Sequence, residues 1–507
     1  MAGACSDSRP AVLALSPLTP WCTVDRAAGA APADSVALVR RSSIAQITID
    51  GKRRAANLTV RPFPGEVVQI SDIDIKNSSG VTFDGLAISD PPQVLAGAQN
   101  VGFTNSTLAG GIKLAAGSGP VYIAGNRISN PSGYGMNFSA GAGDAPIVGV
   151  TIRGNLFDGI GVDAIQAKNF RDLLIDGNEF RNVKATGSGA HPDVLQTVFG
   201  GQNLVFRNNW VHDYEAQGFF VADGTVTGVE VENNLIEDSI GPMSPVRIAD
   251  AVGVSFVNNT VRGLARFSAG TRNAVIRNNI IEQLELDHSE GLTIGYEDYN
   301  LIESGPRAGI HDRTGAPRFV NEAAGDFELL AGSPAVDAGT SEGAPALDMR
   351  GRLRVDDIAS ANVVGRHDMG ALERGGRLPC LDQPAGPPGK KQSRECFRIK
   401  QRLRAAGARR LKVTVRCPRA CRVTVAVKIK RKVARRLRLR PRGRVVLGRA
   451  TRSSRHAGRV TLTVRFDRRA VRALRRARRV PLILKVTGTA RSGAKHSLRR
   501  TVRVKTR

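Results

Sequence analysis

The sequence predicts an all-β chain: a parallel β-helix (solenoid), then a small antiparallel β-sandwich. Three observations lead there. A short strand motif recurs along the first two thirds, Gly is abundant (55 residues) while aromatics make up only 5%, and the charge changes sign abruptly near residue 377. At 507 residues the chain exceeds one ordinary compact core, so two or more domains are expected. A composition 41% hydrophobic and 23% charged excludes a wholly disordered chain.

The motif is clearest in VYIAGNRI (121–128), VTIRGNLF (150–157), LLIDGNEF (173–180), LVFRNNWV (204–211), VEVENNLI (229–236) and AVIRNNII (274–281). Apolar and polar residues alternate for about four positions, the chain turns at Gly-Asn or Asn-Asn, and apolar residues resume. Alternation of period two marks a strand, and Gly and Asn accept the left-handed backbone that a tight turn demands. The repeated Asn residues are Asn105, Asn126, Asn155, Asn178, Asn209, Asn234, Asn259 and Asn279, spaced by 21, 29, 23, 31, 25, 25 and 20 residues. Variable loops inserted in a fixed coil give such spacing, and stacked Asn side chains can hydrogen-bond along the axis. Leucine-rich repeats lack this pattern, and propeller blades need roughly 40 residues with four antiparallel strands.

These coils resemble the right-handed parallel β-helix repeats of the pectate-lyase-like superfamily. The opening, Pro20-Trp21-Cys22-Thr23-Val24 and Pro32-Ala33-Asp34-Ser35-Val36, is similar to that superfamily's N-terminal cap. The closing stretches AGDFELLAGSPAVDAGT (324–340) and HDMGALE (367–373) are similar to the ends of many bacterial secreted β-helix proteins. The resemblance covers roughly residues 20–375. It implies the fold but not the reaction, because lyases, hydrolases, epimerases and non-catalytic adhesins share it.

In stacked coils, equivalent positions form ladders about 4.8 Å apart. Comparing the strand taken to precede each Asn turn, with apolar alternates inward, leaves an outward row: Lys113, Asn137, Gln166, Gln196, Phe220, Arg247 and Arg266. Amides, cations and an aromatic furnish a sugar-binding groove. Two coils carry Asp-x-x-Gln, as Asp163/Gln166 and Asp193/Gln196, the second extended to His191-Pro192-Asp193. The extended motif recurs in similar bacterial β-helix proteins, which implies a site at that position.

β-Elimination of a uronate polysaccharide needs a base for the C5 proton and groups that neutralise the carboxylate. Lys168, His191 and Arg247 are the candidate bases. Gln166, Gln196 and Arg266 are candidates for holding the carboxylate, and Asp163 and Asp193 for orienting the base or holding Ca²⁺. Alternatively, Asp163 and Asp193 serve as the acid and base of a glycosidase, or they only cap strand turns. The expected function is therefore a polysaccharide-active protein, a lyase first and a glycoside hydrolase next, with a non-catalytic carbohydrate-binding or cell-surface protein as the rival. His212-Asp213-Tyr214 reads as polar residues facing solvent on another side of the coil, not as part of a triad. The polar stretches 311–319 and 343–357, with Asp348, Asp356 and Asp357, read as a cap over the last coil.

Residues 1–375 are assigned to the capped solenoid, 376–395 to a Pro/Gly linker, and 396–507 to an immunoglobulin-like basic module. From Arg377 to Arg507 there are 44 Lys and Arg against 3 Asp and Glu, whereas residues 1–376 hold 30 against 42. Strands are expected at 411–417, 421–429, 459–466, 480–490 and 498–505, and a basic helix at 468–479. So basic a module suits anionic cell-envelope polymers or an acidic polysaccharide. Its scarcity of aromatics argues against nucleic acid.

Six cysteines form the local pairs Cys5/Cys22, Cys380/Cys396 and Cys417/Cys421, which read as disulfides of an oxidising compartment. No His stands at zinc-ligand spacing beside the tail pairs. No apolar run of about 18 residues exists for a membrane span, and the first residues lack signal-peptide character. A secreted or cell-surface location therefore rests on cysteines and architecture.

Overall fold

The computed structural model describes residues 6–8, residues 21–376 except 33, 41–42, 187–190, 269 and 357–364, and most of 410–505. In that last stretch 418–420, 430–432, 435–436, 438, 440–444, 455–457, 467, 476–478 and 491–494 are left out. Contacts divide the chain into two units, Met1–Gly376 and Arg377–Arg507.

The first unit is a parallel β-solenoid of about eleven turns. Each coil contributes to three sheets. One holds the strand before the Asn turn, stacking Val101, Val121, Val150, Leu173, Leu204, Val229 and Val254 in register. A second holds the short strand after the turn, stacking Leu108, Ile128, Phe157, Phe180, Val211, Ile236 and Val261. A third holds strands such as Ile112–Ala115, Met136–Ser139 and Val246–Ala249. The outward row lies on this third sheet. The sequence reading placed it directly before the Asn turn, but a whole strand of the first sheet intervenes. Both strands alternate with period two, so alternation alone does not separate them.

Inward side chains fill the coil axis. Phe83 stacks on Phe103 at 5.4 Å, and Phe157, Phe180 and Phe206 form a file at 4.6 and 6.2 Å. Identical coils place like residues over like, so a side chain that fits one layer fits the next.

The Asn turn is a buried ladder of side-chain amides. Asn155 Oδ1 accepts the backbone N–H of Asn126 at 2.9 Å and its Nδ2 at 3.0 Å, while Asn155 Nδ2 donates to Ile123 O at 3.0 Å. The same bonds recur at Asn178, Asn209, Asn234, Asn259 and Asn279 and end at Asn300, whose own N–H donates to Asp312. Asn105 is a correction. Ser106 occupies the rung, and Asn105 sits one residue earlier with φ +49°, exposed and bonded to Asp84. In Asn-Asn coils the first Asn takes the left-handed position and the second the rung, as Asn208 (φ +56°) and Asn209 show. In Gly-Asn coils Gly takes the first position, as Gly125 and Gly154 do.

The helix Val24–Ala30, N-capped by Thr23, covers the first coil; Trp21, Val24, Ala27 and Ala28 lie against the core. At the other end Asp312 closes the ladder by accepting the N–H of Asn300 at 2.8 Å. The segment beyond does more than seal the last coil. It runs back as a strap over earlier coils, where Asn233 Nδ2 donates to Leu347 O, Asn258 Nδ2 to Asp368 O and Gly370 O, and Asn278 Nδ2 to Thr340 O. Beneath it the outward positions of the second sheet turn apolar, and Leu235, Ile280 and Leu301 pack with Phe327, Met369 and Leu372. Arg354, fully buried, bonds Glu373 Oε2 at 3.0 Å and Asn233 Oδ1 at 2.7 Å.

The second unit holds antiparallel sheets. Val445–Ser454, Cys421–Ile429, Arg479–Ala490 and Lys495–Lys505 form one of four strands in that order, and Arg410–Cys417 pairs with Gly458–Arg465. Val445–Ser454 was not expected, because Gly448 and polar residues blur its alternation. The helix spans Arg468–Arg475. The assigned linker, Cys5, Cys380 and Cys396 lie outside the described residues. Cys22 is disulfide-bonded.

Candidate functional site

Register brings all seven residues of the outward row into one column. Lys113 stands beside Asn137, Asn137 beside Gln166, Gln166 beside Gln196, Gln196 beside Phe220, Phe220 beside Arg247 and Arg247 beside Arg266. The column extends further than the sequence reading took it. Gln93 and Asp74 precede Lys113, hydrogen-bonded to each other at 3.1 Å, and Glu285 follows Arg266. The alternation in PQVLAG (92–97) carries the signal for Gln93.

The middle of the column is a polar network. Gln166 Nε2 donates to Gln196 Oε1 and to Asp163 Oδ2, each at 2.9 Å. Asn137 Oδ1 and Gln166 Oε1 are buried acceptors with no donor among the described residues. Arg247 lies 5.3 Å over the Phe220 ring, a cation–π contact, and makes no ion pair among the described residues. Arg266 is engaged by Glu285 and Asp287 at 3.1 and 3.3 Å. Lys113 is exposed; Lys168 lies one outward position further along its strand, beside Val198.

Asp163 and Asp193 form a second, inner ladder at the entry to the third sheet. Asp193 N–H donates to Asp163 Oδ1 at 3.0 Å, and Gln217 N–H donates to Asp193 Oδ1 at 2.8 Å. Gln217, an unforeseen member, is the next rung. Both carboxyls are buried, Asp163 at 2% exposure and Asp193 at 0%. Burial, reinforced by the neighbouring Asp193, pushes Asp163 up to about 7; burial, with Asp223 nearby, pushes Asp193 up to about 8. His191 Nδ1 lies 3.0 Å from Asp193 Oδ2, and the imidazole remains 42% exposed.

This arrangement bears on three of the chemical readings. All four carboxyl oxygens meet protein donors or His191, and both acids favour the neutral form, which does not suit Ca²⁺. Among the described residues no group of three or more His, Cys, Asp or Glu could hold a metal. A glycosidase pair must reach the glycosidic oxygen, and these carboxyls are closed to a sugar. The bonds to successive coils are those of a turn cap. The other aromatic-acid cluster is structural too: Tyr214 is buried with its hydroxyl on Glu237 O, and His212 lies against Trp210 at 4.3 Å.

A pocket of about 420 Å³ opens at the adjoining corner between the third and first sheets, lined by Arg171, Phe199, Gln202 and Thr227 among others. It contains none of the residues singled out from the sequence.

Residues 72–261 match the family described as the right-handed β-helix region. Over those residues the chain is similar to that family, in keeping with the parallel β-solenoid. Among solved structures, the chain is similar to PfbA, a surface adhesin of Streptococcus pneumoniae, at 12% identity and a TM-score of 0.33, over 52% of this chain and 83% of that one. No curated protein matches the chain. Among the described residues no helix is long and apolar enough to cross a membrane.

Proposed function

We propose that the solenoid is an exported glycan-binding protein that seats an acidic polysaccharide on the outer face of its third sheet. The observation that carries this reading is the single register of Asn137, Gln166, Gln196, Phe220 and Arg247. Asn137 and Gln196 are half-buried amides of that column, and their solvent-facing sides suit sugar hydroxyls. Phe220, only 7% exposed, props Arg247 through the cation–π contact, and Arg247, which makes no ion pair among the described residues, is the cation for a uronate. The disulfide-bonded Cys22 supports an oxidising compartment, outside the cell or at its surface. The basic second unit, read as an immunoglobulin-like sandwich, supplies affinity for anionic envelope polymers.

The test is titration calorimetry of the whole protein with uronate oligomers at low salt. Arg247→Ala is expected to weaken binding about tenfold or more, as loss of a charge-assisted contact does. Wild-type protein that binds none of these oligomers would sink the reading.

One observation favours a second reading, a polysaccharide lyase with His191 as base. Asp193 is placed to fix the imidazole, and above about pH 8 its carboxylate accepts Nδ1–H, leaving the other ring nitrogen as a base. Release of unsaturated product, followed by absorbance, should then rise with pH through about 8 and vanish in His191→Ala. A flat baseline across a panel of uronate polymers that the protein binds leaves binding as the whole function.

A further inference from the structure

We propose that the corner pocket at Phe199 is a stacking subsite for a uronic-acid ring, an extension of the glycan reading above on which it rests. The pocket exists because of a bulge. Where one coil runs Lys168-Asn169-Phe170, the next runs Val198-Phe199-Gly200-Gly201, one residue longer between the paired positions. Bulges re-aim side chains, and this one turns Phe199 outward to 50% exposure, the exposed phenylalanine among the described residues.

Backbone conformation shows that the display is costly. Phe199 has φ +60°, where a bulky side chain is strained. Of the 20 described non-glycine residues with positive φ, 17 are Asn or Asp, so the fold has an easier choice and departs from it here. The other exceptions have roles inside the protein: Tyr299 stacks on His311 at 4.4 Å, and Arg318 bonds Gly332 O. Phe199 has no ring partner among the described residues. Nor can the bulge present a side chain elsewhere. A Cβ on Gly200 would meet Thr225 O at 2.6 Å, and one on Gly201 the Phe170 ring at 2.4 Å.

The surroundings select the occupant. Arg171, Gln202 and Thr227 stand in register on neighbouring coils as one polar wall of the pocket. A pyranose offers an apolar C–H face to a ring and hydroxyls to amides and hydroxyls at its rim. Arg171, which makes no ion pair among the described residues, matches a ring carboxylate. Phe199 follows Gln196 by three residues, a span of about 10 Å at most, so an oligosaccharide on the third-sheet face reaches it.

The test is calorimetry of the full chain with tetramers of galacturonate, mannuronate and glucuronate, and with adenosine monophosphate as a planar-base control. Phe199→Ala should weaken the best uronate tetramer about tenfold, and Phe199→Trp should retain it. Phe199→Gly should lose affinity equally yet melt at a higher temperature, because glycine takes positive φ without strain. If Phe199→Ala and Phe199→Gly bind as wild type while Arg247→Ala does not, the subsite is refuted and the third-sheet reading stands. Wild-type binding to the monophosphate but to no tetramer, or to no probe at all, overturns both.

Discussion

Asp163 and Asp193 hold their protons far above the ordinary carboxylate range because burial penalises the charged form. The unfolded chain gives up those protons near pH 4, whereas the folded chain keeps them to about 7 and 8. The stabilisation is therefore complete below the unfolded range and is lost as pH rises through the folded values. The melting temperature should fall across pH 4 to 8 on this account, and Asp163→Asn with Asp193→Asn should flatten that portion of the profile. A second residue-scale expectation contrasts two Asn positions that look alike in sequence. Asn209→Ala strips the amide from a buried rung and orphans Asn178 N–H and Ile175 O, at a cost of about 3 kcal/mol. Asn105→Gly removes an exposed side chain at φ +49° and should change denaturant stability little. The sequence reading grouped the two because the rung Asn of an Asn-Asn turn and the Asn of an Asn-Ser turn differ by one place, and only the ladder bonds reveal which residue is the rung.

Among elements, the strap makes the sharpest prediction. Arg354 and Glu373 are both fully buried, and removing one partner of such a pair costs roughly 3–5 kcal/mol. Arg354→Met should lie near the low end, because burial and Asp368 push Glu373 up to about 8 and let it take a proton. Amide exchange should accelerate in residues 335–356 and 365–376 while the first coils stay protected. The strap also marks where sequence reasoning stopped. Strands and their inward faces were legible because alternation is local, and so was the column from Lys113 to Arg266, since each coil repeats the pattern. Assignment to the right sheet was not legible, because two consecutive strands share one period. The placement of Thr340, Leu347, Asp368 and Gly370 depends on their carbonyls meeting Asn278, Asn233 and Asn258 more than sixty residues away, a match no periodicity records. Phe199 escaped notice for a related reason. In sequence it is one more apolar residue in a strand, and only the extra residue in its coil exposes it.

For the whole molecule, charge is the dominant fact. Residues 377–507 carry 44 basic side chains against 3 acidic ones, and residues 1–376 carry 30 against 42. Binding to a polyanion such as polyphosphate should weaken more than about tenfold between 50 and 200 mM salt, as screening dictates. Deleting 377–507 should abolish it while leaving the melting of the solenoid unchanged. Retained affinity in the shortened chain would locate the basic surface elsewhere.

A solenoid can in principle grow by duplicating a coil, since each new layer satisfies the same neighbours. The Asn-Asn coils limit where this protein can do so. Before Asn208, an inserted coil adds one rung to the ladder and disturbs nothing at a distance. From Asn233 to Asn278, the returning strap is matched coil by coil to three amides, so it works as a ruler of fixed length. A duplicated coil there would put every later amide out of step with its carbonyl, which confines lengthening of this lineage to the N-terminal half of the body.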